Sequence, residues 1–140
     1  MARDPWHQES VKKVVEKLSS NFDVKDPFNL PKQNRPESLY QPDVVAFKKG
    51  TGEIKLIIEL ESSNVRKSIM GAAILAQICV REMKQNSKPK LIFVLKNKSD
   101  QEEIRKLNVR LERMTEILKE SYLDPSIDMD SLEEFLRKTF

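Results

Sequence analysis

The sequence predicts one α/β domain, a small mixed β-sheet flanked by helices in the order α-β-β-β-α-β, with further helices after it. Three observations carry this prediction. Apolar residues recur at helical spacing near the N-terminus, in the middle and again beyond residue 100. Two apolar runs, 44–47 and 54–60, have the length of strands, and the second alternates. The run 91–95 follows an apolar helical segment, which puts it parallel to its sheet partner through a right-handed crossover. The chain has 140 residues, enough for one apolar core and too few for two. Its 39% hydrophobic and 34% charged residues exclude a disordered or a membrane-spanning chain.

Asp4-Pro5 reads as an N-cap with proline at the first helical position, and Val11, Val14, Val15 and Leu18 then repeat at helical spacing up to Ser19-Ser20-Asn21. His7 projects near this apolar stripe and reads as a packing or fraying residue, whereas Glu9 and Glu16 project away. Residues 21–41, with Pro27, Pro31 and Pro36 and with Pro42 just beyond, read as a long irregular connection with an edge strand near 22–24. Lys25, Lys32 and Arg35 on it are candidates for substrate contact; the plainer reading is a surface loop.

In the strand 54–60, Ile54, Leu56, Ile58 and Leu60 share one face, and Lys55, Ile57, Glu59 and Glu61 share the other. Ser62-Ser63-Asn64 supplies N-caps for a helix over 65–84, apolar almost all round at its centre and so expected against the sheet. Arg66, Met70, Ala73, Gln77 and Lys84 lie along one stripe of it, with Gln77 placed either toward a groove or in a local hydrogen bond. Ser99 or Asp100 caps a further helix whose stripe of Ile104, Leu107, Leu111, Met114 and Leu118 reads as core, or as a dimer interface. Asp130-Ser131-Leu132-Glu133 resembles a capping box opening a short last helix.

The longest apolar run, 69–80, contains Gln77 and is far short of the roughly 20 residues of a spanning helix. The N-terminus lacks a secretory pattern and the lone Cys79 falls inside the apolar helix, so no intramolecular disulfide is expected and a cytoplasmic location is. Charge is uneven: residues 61–100 carry eight basic against three acidic side chains, and 101–140 seven against ten. The middle of the chain would draw a polyanion, unless the basic residues only solvate the surface.

Asp43 begins one strand, and Glu59 and Glu61 end the next on one face, their backbones about 6–7 Å apart. Like charges held this closely repel unless a cation or a proton lies between them.

These elements, with Pro42-Asp43 and Glu59-Leu60-Glu61, resemble the PD-(D/E)xK nuclease superfamily, which includes restriction endonucleases and archaeal Holliday-junction resolvases. The resemblance covers about residues 5–97 and implies a restriction-endonuclease-like fold. It makes Asp43 and Glu59 ligands of Mg²⁺ (or Mn²⁺), with the Leu60 carbonyl as a further ligand. Glu61 stands where the family usually has lysine, as in some restriction enzymes with Glu-x-Glu, and would orient or deprotonate the attacking water. Lys55, Arg66 or Lys67 would supply the missing positive charge at the scissile phosphate. Gln77 resembles a glutamine found on the second helix of several relatives, Glu9 the acidic residue on the first helix of resolvases, and His7 the metal-binding histidine of the cap-snatching viral branch. The implied function is a metal-dependent endonuclease hydrolysing DNA, as a homodimer if both strands are cut. The alternatives are a nuclease-like domain that binds nucleic acid or protein without cutting, and an interaction domain whose carboxylates only solubilise its surface.

Overall fold

The computed structural model describes residues 5–32, 38–62, 66–98, 101–118 and 121–140, apart from the side chains of Arg66, Lys67, Gln101, Glu103, Thr115, Ile117 and Leu118. Asp4, Arg35, Ser63, Asn64, Ser99 and Asp100, expected above to cap helices or contact substrate, lie outside this set.

Helix α1 (Pro5–Leu18) leads into strands β1 (Phe22–Lys25), β2 (Val44–Lys48) and β3 (Ile54–Glu61), which form an antiparallel meander. Helix α2 (Arg66–Met83) then crosses over to β4 (Lys90–Leu95), parallel to β3, and α3 (Gln101–Leu118) crosses over to β5 (Asp128–Ser131), parallel to β4. The result is a five-stranded mixed sheet in the order β1-β2-β3-β4-β5, closed by α4 (Leu132–Arg137). Among the described residues no helix is long and apolar enough to cross a membrane.

Helices cover both faces, so the central strands are apolar on both sides. Ile57, Phe93 and Leu95 pack with Ile69, Ala73 and Ala76 of α2 and Leu107 and Leu111 of α3. Leu56, Ile58, Leu60, Ile92 and Val94 pack with Val14 and Leu18 of α1 and Phe135 of α4. This explains why residues 44–47 form an unbroken apolar run: all four are buried. The turn between β2 and β3 is closed by the Lys48 N–H to the Glu53 carbonyl at 2.9 Å, with Gly50 at φ 75°, a conformation that favours glycine.

Three expectations change. The described parts of the connection between β1 and β2 are anchored, since the buried Leu30 and Tyr40 exchange backbone hydrogen bonds and Phe28 stacks edge-on against Phe47 at 5.1 Å. The C-terminal part holds a strand as well as helices. Asp128-Met129-Asp130-Ser131 carries little strand propensity of its own, and β5 forms because β4 offers it a free parallel edge and Lys90 and Lys138 hold Asp128 at 3.1 and 2.6 Å. The capping box lies one residue later than expected: the Ser131 hydroxyl accepts the Glu134 N–H and the Glu134 carboxylate accepts the Ser131 N–H.

Candidate functional site

The β2–β3 ladder pairs Val44 with Ile58. One step further along that register Asp43 faces Glu59, and two steps further Pro42 faces Leu60. Pro42 has no N–H to give, so the Leu60 carbonyl receives no ladder bond from it and backbone pairing ends there. Side chains take over. The Asp43 N–H donates to Glu59 Oε1 at 2.9 Å, and the Leu60 N–H donates to Asp43 Oδ2 at 2.9 Å. The Pro-Asp pair therefore both stops the sheet and ties the two carboxylates to its frayed end, directly opposite residues having Cβ atoms about 4.5–5.5 Å apart.

Burial is the first cause that pushes the Glu59 carboxyl up to about 8, and the nearby Asp43 charge is the second, with Glu61 adding to it. Tyr40 lies on the same side. Its hydroxyl is buried next to Glu59 yet outside good hydrogen-bonding geometry, and burial together with the Glu59 and Asp43 charges holds its pKa well above the ordinary phenol value. It stays a neutral O–H that can donate to a Glu59 oxygen after a small rotation.

His7 corrects the expectation from sequence. It neither frays nor merely packs: it is buried, and its Nε2 lies 3.0 Å from Asp43 Oδ1. An ionised carboxylate can only accept, so Nε2 carries the proton in this contact and the imidazole orients Asp43. Glu9, the acid matched to resolvases, is exposed on the other side of α1. The available signal was the spacing of His7, Ser10, Val14 and Leu18, four buried positions on one stripe with its polar members at the β2 end. If Asp43 holds a metal, replacing His7 by Ala is expected to keep the fold and lower metal affinity roughly 10–100-fold, the effect of losing a ligand's orienting partner; unchanged manganese affinity by calorimetry would rule out that role.

Glu61 is half-buried, and its carbonyl accepts the Lys96 N–H at 3.0 Å, which continues the β3–β4 pairing. Lys96, which no sequence motif singles out, is thus held at the same end of the sheet. Lys55 sits four residues before Glu59, about 13 Å along the strand, and pairs with Glu53 at 3.1 Å. The side chains of Arg66 and Lys67 are outside the described set.

Gln77 has a different employment from the one the resemblance gives it. Its Nε2 donates to Ser121 Oγ at 3.0 Å, its Oε1 accepts the Tyr122 N–H at 2.9 Å, and it is buried between α2 and the α3–β5 connection. Neither bond is local, since the partners are over forty positions away. Gln77→Leu would leave the Tyr122 N–H without its acceptor, while Ser121 Oγ keeps its bond to the Leu123 carbonyl at 2.7 Å, and is expected to cost about 1–3 kcal/mol in urea unfolding, with any activity of the folded fraction unchanged. A large loss of activity at full stability would return Gln77 to the site.

Among the described residues no three His, Cys, Asp or Glu side chains converge as a ready-made metal group. Two carboxylates do converge, and Mg²⁺ is held by one or two carboxylates together with waters and substrate oxygens. Each carboxylate oxygen has two lone pairs, so Asp43 can keep its bonds to His7 and Leu60 and still face a cation. The donor set fits a hard divalent ion. Comparison with protein-family models, with curated proteins and with solved structures gives no match to this chain.

Proposed function

We propose that the chain is a divalent-metal-dependent phosphodiester hydrolase of the PD-(D/E)xK type acting on DNA, with Mg²⁺ or Mn²⁺ as its cofactor. The observation that carries the reading is Asp43 and Glu59 tied together, largely out of water, where an antiparallel ladder is ended by a proline. Buried like charges of this kind cost stability unless a cation or proton offsets them, and functional sites are where such costs are tolerated. The order α-β-β-β-α-β, with β3 and β4 parallel, supports the restriction-endonuclease-like version of the fold.

The residues divide the work by position. Asp43 and Glu59 would hold the metal, with the Leu60 carbonyl, which Pro42 cannot bond, as a third oxygen. The bound ion would act as a Lewis acid, lowering the pKa of an attacking water and offsetting charge that builds on the phosphate. His7 and the Leu60 N–H keep Asp43 in one orientation. Glu61, two residues beyond Glu59 on the same face, would take the proton of the attacking water. The buried Tyr40 hydroxyl beside Glu59 is a neutral donor for it.

Glu61 in the lysine position favours one other reading, a nuclease-like domain that binds nucleic acid without cutting it. The deciding experiment is cleavage of labelled oligonucleotides in Mg²⁺, Mn²⁺ and EDTA by the wild type and by Asp43→Asn. Metal-dependent product from the wild type alone supports the hydrolase; salt-dependent binding with no product in any metal selects the other reading.

A further inference from the structure

Asp43 opens sideways onto a groove of about 390 Å³ that runs along the first turns of α1. Val11 and Pro27 give it apolar surface, Gln8 and Gln41 bring side-chain amides to it, and Lys12 and Asp26 are the charges it holds besides Asp43. Small-ligand pockets span about 300–1,000 Å³, so this groove has room for one unstacked nucleotide and none for a duplex.

The charges decide which part of a nucleotide belongs there. Asp43 lies at one end of the groove against His7, and along the rest of it Asp26 offsets Lys12, so the groove away from Asp43 has no net positive charge to draw a phosphodiester backbone. A nucleobase is uncharged. It offers flat faces to Val11 and Pro27 and, on its edge, the donors and acceptors that glutamine amides match. Gln41 is already oriented for such a role, since its Nε2 donates to Asn29 Oδ1 at 2.8 Å and its Oε1 takes no part in that bond. Gln8 reaches the groove from an exposed position on α1.

We infer that this groove seats one unpaired base beside the phosphate that a cation at Asp43 would hold, so that the substrate is single-stranded nucleic acid, or a strand with an unpaired nucleotide at the cut, rather than continuous duplex. The position of the cut rests on the hydrolase reading; the base seat is a property of α1 and the 26–41 connection. A single-strand substrate takes one cut per site and removes the need for a homodimer.

The test is fluorescence anisotropy with a labelled single-stranded oligonucleotide of mixed sequence and a hairpin duplex of the same sequence, in EDTA and in Mg²⁺. The single strand is expected to bind about tenfold more tightly than the duplex, the scale of one base contact. Gln8→Trp, which fills the groove from an exposed helical position, and the double variant Gln8→Ala with Gln41→Ala are each expected to abolish that preference with circular dichroism unchanged. Equal affinity for the duplex, or a preference that survives both variants, overturns the base seat. Cleavage keeps the two readings apart. Duplex cut as fast as single strand would leave the hydrolase and remove the base seat, whereas single strands bound in the groove and never cut would leave the seat and remove the hydrolase.

Discussion

Asp43→Asn is expected to lower metal-dependent cleavage by more than about a hundredfold, beyond the 10–100-fold that loss of a ligand's supporting partner produces. The substitution keeps the shape of the side chain and an oxygen able to accept the Leu60 N–H, so the end of the β2–β3 ladder is preserved; its NH₂ then faces His7, whose Nε2 must change tautomer to accept it. It removes one of the two charges that crowd the site, so stability in EDTA is expected to stay level or rise. Manganese is expected to raise the melting temperature of the wild type and not that of the variant, because an ion that binds only the folded state stabilises it in proportion to the logarithm of one plus its concentration over Kd. Loss of activity with loss of fold would be uninformative for a bulkier change; this variant avoids that outcome, and equal cleavage by the two proteins would end the assignment.

Glu59→Gln is expected to reshape the pH dependence of stability. The Glu59 carboxyl has an ordinary value of 4.5 and is pushed up to about 8 in the fold, first by burial and then by Asp43. Below about pH 4.5 it is protonated in both the folded and unfolded states. Between that point and about pH 8 the folded protein keeps a proton that the unfolded chain has lost, so stability falls as pH rises through this window. At the top of the window the ionised Glu59 costs the fold several kcal/mol, because every tenfold change in proton affinity corresponds to about 1.4 kcal/mol. The glutamine variant carries no such slope. In EDTA it should match the wild type near the acid end and be clearly more stable at alkaline pH, measured by urea unfolding across the range. Superimposable pH profiles would show that Glu59 is not held as a buried acid. Manganese should recover the wild type's alkaline stability and leave the variant unmoved.

Much of this molecule is legible from its residues because its signals are local. Proline after an N-cap, the 3–4 spacing of Ile104, Leu107 and Leu111, and the alternation through Ile54 to Leu60 each specify an element without reference to the rest of the chain, and α1, α3 and β3 follow. The pairing of Asp43 with Glu59 was legible only in part: the proline marks where the ladder must stop, but the register shift between Ala46 and Phe47, which sets Asp43 opposite Glu59 and not Ile58, leaves no mark in the sequence.

What escaped the sequence is long-range. His7 is a full 36 positions from Asp43, and helical projection placed it near an apolar stripe without saying what that stripe meets at its end. Gln77 looked like a site residue because it resembles a glutamine on the family's second helix, yet only the path of the α3–β5 connection decides that its amide meets Ser121 and Tyr122. β5 has almost no propensity of its own and exists because β4 has an edge to pair and two lysines lie nearby. By itself the sequence determined the α/β class, most of the elements and the gathering of acids at the open end of the β2–β3 hairpin, away from its turn, since periodicity and chain connectivity are local constraints. Only the tertiary structure decided which buried polar group answers which, because a hydrogen bond between distant residues depends on how whole elements pack and leaves no periodic trace in the chain.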